Sequence, residues 1–241
     1  MLSDILLAVD CGDVAALILL DLSAASDTVD YEISLQRLQI TYSISDIAHR
    51  WFRSYLLDRS QYVRIGTSCS SVIDLICGVP QGSVLGPVLF ILSTAGLISL
   101  IESHGLTPHL YANDTQVYGL FPASNVDAFS AKLTACSCAV ASWMQSNRLR
   151  LNSDKTEVMW CAMTRCEHQL PRSPLLVDGT PMNPVQSVCN LGIFVDADLV
   201  FLCEPPSERS LKINLFAGIM ISVRHWYDTN SAILGRLCGT G

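Results

Sequence analysis

The chain is short of positive charge. Its 241 residues carry 15 lysines and arginines against 22 aspartates and glutamates, a formal charge of -7 and a pI near 5.1. That balance argues against a general nucleic-acid binder, which shows a basic excess across the domain. Zinc-type cysteine pairing is lacking as well. The ten cysteines include no C-x-x-C pair, and Cys161, Cys166 and His168 match no standard zinc spacing. Residues 1–9 are apolar but have no positive n-region and contain Asp4, unlike a secretory signal. Reduced and mostly buried thiols are therefore expected, in an intracellular setting, nucleus or cytoplasm. No internal repeat and no low-complexity tract is found.

What the chain has is apolar mass: 50% of its residues are hydrophobic, enough for one large domain or two small ones with a real core. Its charge is unevenly spread. Between Arg37 and Arg64, the five arginines Arg37, Arg50, Arg53, Arg59 and Arg64 meet two acids, Asp46 and Asp58. Such a local basic face steers phosphate even on an acidic molecule. The same residues also suit the solvated side of a helix. Residues 82–101 hold no charge at all, a span long enough for a membrane helix. Gly82, Gly86, Pro87 and Gly96 interrupt it, and no lysine or arginine flanks it closely. It is read as a buried helix, with a membrane-associated protein as the competing reading.

Along the chain, residues 15–22 form an apolar run that predicts a buried strand. Ser26, Asp27 and Asp30 are N-cap candidates for a helix to about Gln39, with Val29, Ile33 and Leu38 inward. Ile47, Trp51, Tyr55 and Leu56 recur at helical spacing and predict an inward face opposite Arg50 and Arg53. Residues 62–65 and 72–76 read as strands. Residues 77–83 form a Gly/Pro loop leading into the apolar helix, where Pro87 is tolerable in the first turn. Residues 109–112 and 115–120 predict a hairpin tipped by Asn113-Asp114. Val126, Phe129, Leu133, Cys136, Val140 and Trp143 step by three and four, an amphipathic helix. Residues 156–162 and 187–195 read as strands, and Asp178-Gly179 after 175–177 suggests a hairpin turn. The order predicts an α+β fold, helices packed on one face of a mostly antiparallel sheet.

Nucleotidyl transfer uses two divalent ions about 3.5–4 Å apart. Magnesium takes oxygen ligands, typically one or two carboxylates together with substrate phosphates. An aspartate at one strand's end facing an acidic hairpin on its neighbour supplies such a site, and Asp21 and Asp114 suit that description. Each alone is also an ordinary strand-end or turn residue. Together with their surroundings they carry more. The run LDLSAASDTVD, residues 20–30, resembles motif A of non-LTR (LINE-type) retrotransposon reverse transcriptases. GVPQGSVLGP, residues 78–87, is similar to their motif B; YANDTQ, 111–116, resembles motif C; LNSDKTE, 151–157, resembles motif D. Asn190-Leu191-Gly192 is weakly similar to motif E. All five stand in the family's order.

The resemblance implies the polymerase palm, over residues 1–200, with 201–241 an unassigned tail. It implies RNA-templated DNA synthesis from deoxynucleoside triphosphates with two Mg²⁺ ions, an RNA template and a DNA primer. Asp21 and Asp114 would be metal ligands and catalytic acids, and Lys155 a general acid for the leaving pyrophosphate; Lys155 also suits an ordinary exposed lysine. Leu22, through its backbone, and Ser26 would lie at the nucleotide, Gln81 and Gly82 at the template and incoming base. Arg50, Arg53, Arg59 and Arg64 are candidate nucleic-acid contacts. Three positions depart from the pattern. Asn113 stands where the family has the first aspartate of motif C, replacing an ionised acceptor by a neutral amide. Ser26 replaces the aromatic residue that excludes a ribose 2′ hydroxyl. Ser93 and Gly96 replace the usual Tyr and Asp after motif B. The chain begins almost at motif A and no thumb or endonuclease is recognisable, so fingers and thumb are expected to be missing or truncated. Low or no polymerase activity is expected. The alternatives are a non-catalytic nucleic-acid or partner-binding remnant and the membrane-associated protein.

Overall fold

The computed structural model describes residues 1–202 with the exception of Gln81, Arg172 and Val200. It opens with a helix that sequence periodicity did not single out, Leu2–Cys11 (α1), which buries Ile5, Ala8 and Val9. Gly12, at φ 91°, takes the left-handed turn that ends it. The strand Asp13–Leu20 (β1) follows at once. Asp30 caps Tyr31–Ile40 (α2), its carboxylate accepting the Ile33 N–H at 2.9 Å. After Asp46–Leu56 (α3) come four short strands, Arg59–Gln61 (β2), Arg64–Ile65 (β3), Ser68–Cys69 (β4) and Ile73–Leu75 (β5). β2 pairs with β5 and β3 with β4, making a ribbon in two parts.

Leu85–Thr94 (α4) and Gly96–Ser103 (α5) lead to Thr107–Tyr111 (β6), Asp114–Pro122 (β7), Val126–Ser146 (α6) and Glu157–Cys161 (β8). Two hairpins follow: Leu175–Val177 (β9) with Thr180–Met182 (β10), and Ser187–Asn190 (β11) with Ile193–Asp196 (β12), to which Phe201–Leu202 (β13) adds.

The central sheet has the order β6-β7-β1-β8, every neighbour antiparallel. Alternate residues of β1 face opposite sides. Val14, Ala16, Ile18 and Leu20 join the larger core, with Leu35 and Leu38 of α2, Leu89 of α4, Ile101 of α5 and Leu133 of α6. Ala15 and Leu17 join a smaller core with Ile5 and Val9 of α1 and Val188 and Val195 of β11 and β12. Covering on both sides explains why β1 reads as an unbroken apolar run. The expected α+β architecture is present, with α2, α4, α5 and α6 on one face and α1 with a small sheet on the other.

Several local expectations change. The central hairpin turns one residue earlier: Tyr111 pairs with Asp114, so its tip is Ala112-Asn113, with Ala112 at φ 52°. Asp114 is thereby the first residue of a strand. Residues 187–195 are a hairpin and not one strand, because Leu191 and Gly192, at φ 50° and 83°, make the tight turn that positive φ at both positions allows. On α3 only Leu56 is buried, and Ile47 and Trp51 are 76% and 50% exposed. Trp51 stacks on Tyr55 at 5.3 Å, leaving Phe52, Tyr55 and Leu56 to meet the core. On α2 the inward residues are Leu35 and Leu38, with Ile33 half-buried. The strands expected at 62–65 and 72–76 are shorter and shifted, since the ribbon has no core face to fix their register. Thiols divide: Cys136, Cys161 and Cys166 are buried, while Cys11, Cys69, Cys138 and Cys189 are exposed.

Leu85–Ser103, which overlaps the charge-free segment, is long and apolar enough to cross a membrane by length and composition. Here it divides into α4 and α5 at Ala95, and Leu89, Phe90, Leu97 and Ile101 lie in the larger core. About a third of the segment is buried in this way. Arg37 is likewise withdrawn from the basic face: it donates to Asn147 Oδ1 at 2.6 Å and lies over the Trp143 ring at 5.3 Å, pinning α2 to α6.

The closest approach in the core gives a test. A Cβ on Gly119 of β7 would meet Leu106 Cδ2 and Phe129 Cζ at 2.6 Å. Gly119→Ala is expected to destabilise the chain by about 1–3 kcal/mol, read as a lower urea midpoint by circular dichroism. An unchanged midpoint would contradict this packing of α6 on β7.

Candidate active site

β1 and β7 keep one register from Asp13 opposite Pro122 to Leu20 opposite Thr115. One step further, Asp21 leaves β1 beside Asp114, which opens β7. Alternation sets both on the side of the sheet that carries Leu17 and Leu19. Electrostatics agree. The Asp114 carboxyl is held above its ordinary range, first by partial burial and then by the negative charge of Asp21, while the Lys155 ammonium pulls it back. These three side chains, expected from separate motifs, therefore act on one another.

The segment after α6 holds the strand end in place. Asn152 donates from Nδ2 to Asp21 Oδ2 at 3.1 Å and from its backbone N–H to Asp21 O at 2.9 Å. Ser23 N–H donates to Arg150 O at 2.9 Å, and Leu22 bridges Leu151. A short 3-10 turn, Ser153–Lys155, then brings in Lys155. Sequence reasoning gave Asn152 no role, although its place just before Lys155 in the motif D-like run was the available signal. Only the structure shows its amide bonded to the carboxylate.

A second set of bonds stitches the loop at 77–83 to the loop after Asp21. Val79 N–H donates to Ser26 O and Gly78 N–H to Val29 O, both at 2.8 Å, and Tyr31 Oη–H donates to Cys77 O at 2.9 Å. Gly78, at φ 94°, passes so close that a Cβ would sit 3.1 Å from Asp27 O. Ser83 Oγ–H donates to Pro80 O at 2.6 Å and Oγ accepts Gly86 N–H at 3.0 Å, fixing the entry to α4. Ser83 is another residue that sequence reasoning passed over. Ser26 and the Gly82 loop are thus brought together. Gly82 is exposed, at φ 75°, with open space where a Cβ would point. Gln81 lies outside the described residues. Leu22 is 5% exposed, its side chain committed to the core, so only its backbone is free to meet a ligand. Asn113 is exposed at the hairpin tip.

The arginines sit on other elements. Arg50 and Arg53 are exposed on α3, and Arg64 on β3 donates to Gly66 O at 3.2 Å. Arg59 is half-buried near Tyr31, whose phenol burial pushes up and Arg59 draws back.

As a cation site the donor set is small and hard. No cluster of three or more His, Cys, Asp or Glu occurs among the described residues. Two carboxylates, with the Asn113 amide on the adjoining tip, suit an ion that completes its shell with water and phosphate oxygens. The repulsion between Asp21 and Asp114 is what a bound divalent cation would relieve, so the residues present fit one.

Comparison with known proteins bears on what this arrangement is for. A family model described as reverse transcriptase (RNA-dependent DNA polymerase) matches residues 9–195. The RNA-directed DNA polymerase from mobile element jockey of Drosophila melanogaster is 26% identical over 155 residues, covering 62% of this chain and 16% of that protein. The probable RNA-directed DNA polymerase from transposon BS of the same organism is 29% identical over 154 residues, covering 62% and 17%. The chain thus spans only a small part of the curated relatives it matches. In fold it is similar to an apo telomerase from Candida tropicalis truncated from the C-terminal domain, at TM-score 0.58 and 12% identity over 83% of this chain and 38% of that one. A Candida albicans telomerase in complex with a TWJ fragment of telomeric RNA gives TM-score 0.56 and 14% identity, over 83% and 34%.

The raised carboxyl has a consequence for stability. The folded chain keeps the Asp114 proton to higher pH than the unfolded chain does, so stability falls as pH rises from the ordinary value of 3.8 through the raised one. At pH 7 without divalent ions, Asp114→Asn is expected to raise the urea midpoint. Added Mg²⁺ should raise the midpoint of the native chain and leave the variant unmoved, and a chelator should reverse the gain. An Mg²⁺ effect of equal size in both would rule out Asp114 as a ligand.

Proposed function

The chain belongs to the reverse transcriptase (RNA-dependent DNA polymerase) family, and on that premise we propose that it is a polymerase palm built for RNA-templated DNA synthesis with its catalytic power reduced. The resemblance to LINE-type retrotransposon enzymes is borne out by the family match and by the two relatives from mobile elements. Reverse transcriptases use divalent metal ions; Mg²⁺ is the ion proposed here. The observation that carries the reading is the register that sets Asp21 beside Asp114, with the charge of one felt by the other.

When bound, a pair of such ions supplies an activated primer hydroxyl and neutralises charge on the triphosphate. The chain's own residues do the rest. Asp21 and Asp114 hold the cations, and Asn152 fixes the rotamer of Asp21 through the bond to Oδ2. The Leu22 backbone lies against the incoming phosphates. Lys155 is in electrostatic reach of Asp114 and donates a proton to the departing pyrophosphate oxygen. Ser26, bonded through its carbonyl to the Val79 N–H, leaves space under the sugar that an aromatic ring would close, so discrimination against ribonucleotides is weak. By resemblance, Gln81 and Gly82 are the residues assigned to the template and the incoming base. Arg50, Arg53, Arg59 and Arg64 contribute phosphate contacts from α3 and the ribbon. The partners are an RNA template, a DNA primer and deoxynucleoside triphosphates, in nucleus or cytoplasm.

Asn113 sets the rate. At the tip of the hairpin it offers one neutral carbonyl oxygen where a carboxylate would bring a full negative charge. Electrostatic stabilisation at such sites amounts to several kcal/mol, and a loss of about 3 kcal/mol corresponds to roughly a hundredfold in rate. Asn113→Asp is therefore expected to raise primer extension on an RNA template by about that factor. Equal turnover by the native chain and the variant would refute the role of Asn113. Should neither extend a primer, Mg²⁺-dependent protection by a deoxynucleoside triphosphate, stronger in Asn113→Asp, remains the expected result, and its absence from both would refute the palm reading.

A further inference from the structure

One row of the central sheet carries polar side chains between the Asp21–Asp114 end and a row packed with hydrocarbon. Leu19 of β1 lies opposite Gln116 of β7 and Glu157 of β8, and Gln116 lies opposite His109 of β6. Cross-strand partners share a face. His109, Gln116, Leu19 and Glu157 therefore form one line on the side covered by α1 and the small sheet, next to the row of Asp114 and Asp21. The row beyond it returns to the core with Leu17, Tyr118 and Met159.

β11 meets this line at two consecutive residues and is bonded to it at Asn190. Gln116 Nε2 donates to Asn190 Oδ1, and the partners are 1% and 4% exposed. The Glu157 carboxyl, pushed up by burial, is drawn back by the Cys189 backbone beside it. Val188 packs with Leu17 and Tyr118, and Asn190, two residues on, meets Gln116. β11 therefore climbs the sheet toward the row of Asp114, and its turn, Leu191-Gly192, comes next. An apolar contact could cover the sheet here as well, but it would tolerate sliding. A buried amide pair does not, since one step of slippage strands both groups away from water. Gln116 Oε1 and His109 Nδ1 make no hydrogen bond among the described residues, so the bond to Asn190 is the one that holds the Gln116 amide.

We propose that Gln116 and Asn190 are positioning residues whose buried amide pair fixes the β11–β12 hairpin, and with it the Leu191-Gly192 tip, in a single register beside the Asp21–Asp114 end of the sheet. The latch is independent of the catalytic reading, because it acts on the hairpin whether or not the site turns over. Native-state hydrogen exchange on the native chain tests it. Gln116→Leu and Asn190→Leu should each speed exchange at residues 187–196 about tenfold or more, with amides of β1 and β8 as protected as before. Since both remove the same bond, the double leucine variant should exchange no faster than the worse single one. Interchanging the amides, Gln116→Asn with Asn190→Gln, should restore the protection, which a merely space-filling role would not produce. Unmoved hairpin protection in the single variants, additive losses in the double, or no recovery in the interchange would each overturn the proposal. If a single variant loses protection throughout the chain, the interchange decides: recovery supports the latch and failure overturns it.

Discussion

β1 and β7 share backbone hydrogen bonds along the whole length of β1, and a slip of one residue between them would turn Asp21 and Asp114 to opposite faces. Nothing local to either aspartate prevents that slip. The alternation of β1 prevents it, with Val14, Ala16, Ile18 and Leu20 committed to one core and Ala15 and Leu17 to the other. Reversing the register would exchange two sets of buried side chains that differ in shape and partners. Gly119 adds a steric condition, since α6 rests where any side chain at that position would stand. The juxtaposition of Asp21 and Asp114 at the sheet end is held by packing along its length.

The same logic runs through the surrounding loops. Asp21 stands just beyond the strand, where its backbone would otherwise be free, and Asn152 takes both its carbonyl and its carboxylate. The Gly78 to Ser83 loop has little apolar content to bury, and backbone bonds to Ser26 and Val29 substitute for packing. Burial raises the Asp114 carboxyl and Lys155 opposes the shift. The sheet end is thus a place where the fold tolerates unfavourable charge.

Much of this was legible in the sequence, and for identifiable reasons. β1 and α6 announced themselves because burial on one or both faces leaves a periodic trace, and five motifs in order pointed to the family. What escaped has a common cause. α1 is short, and its helical pattern merges into the apolar run of β1. The outward face of α3 could not be told from an inward one, because spacing identifies a stripe of residues and not what covers it. The shift of the hairpin tip by one residue depends on pairing across strands. Asn152 and the Gln116–Asn190 pair are contacts between residues distant in the chain, and no local pattern marks which amide will find which partner.

The two-part ribbon has a further implication for handling the protein. Val63, Ile65, Val72, Ile73 and Ile76 are all more than half exposed along it, on or beside strands of two or three residues. Bare β-branched edges of this kind recruit strands from other molecules. The ribbon and α3 also hold most of the arginines of the 37–64 segment in an otherwise acidic chain. Edge pairing between molecules is accordingly expected there, and the arginines of the segment would draw it toward the acidic remainder of a neighbouring molecule. Moderate salt will weaken that attraction and leave the edge pairing untouched, so solubility is better improved by a polar residue at Ile65 or Ile76 than by buffer.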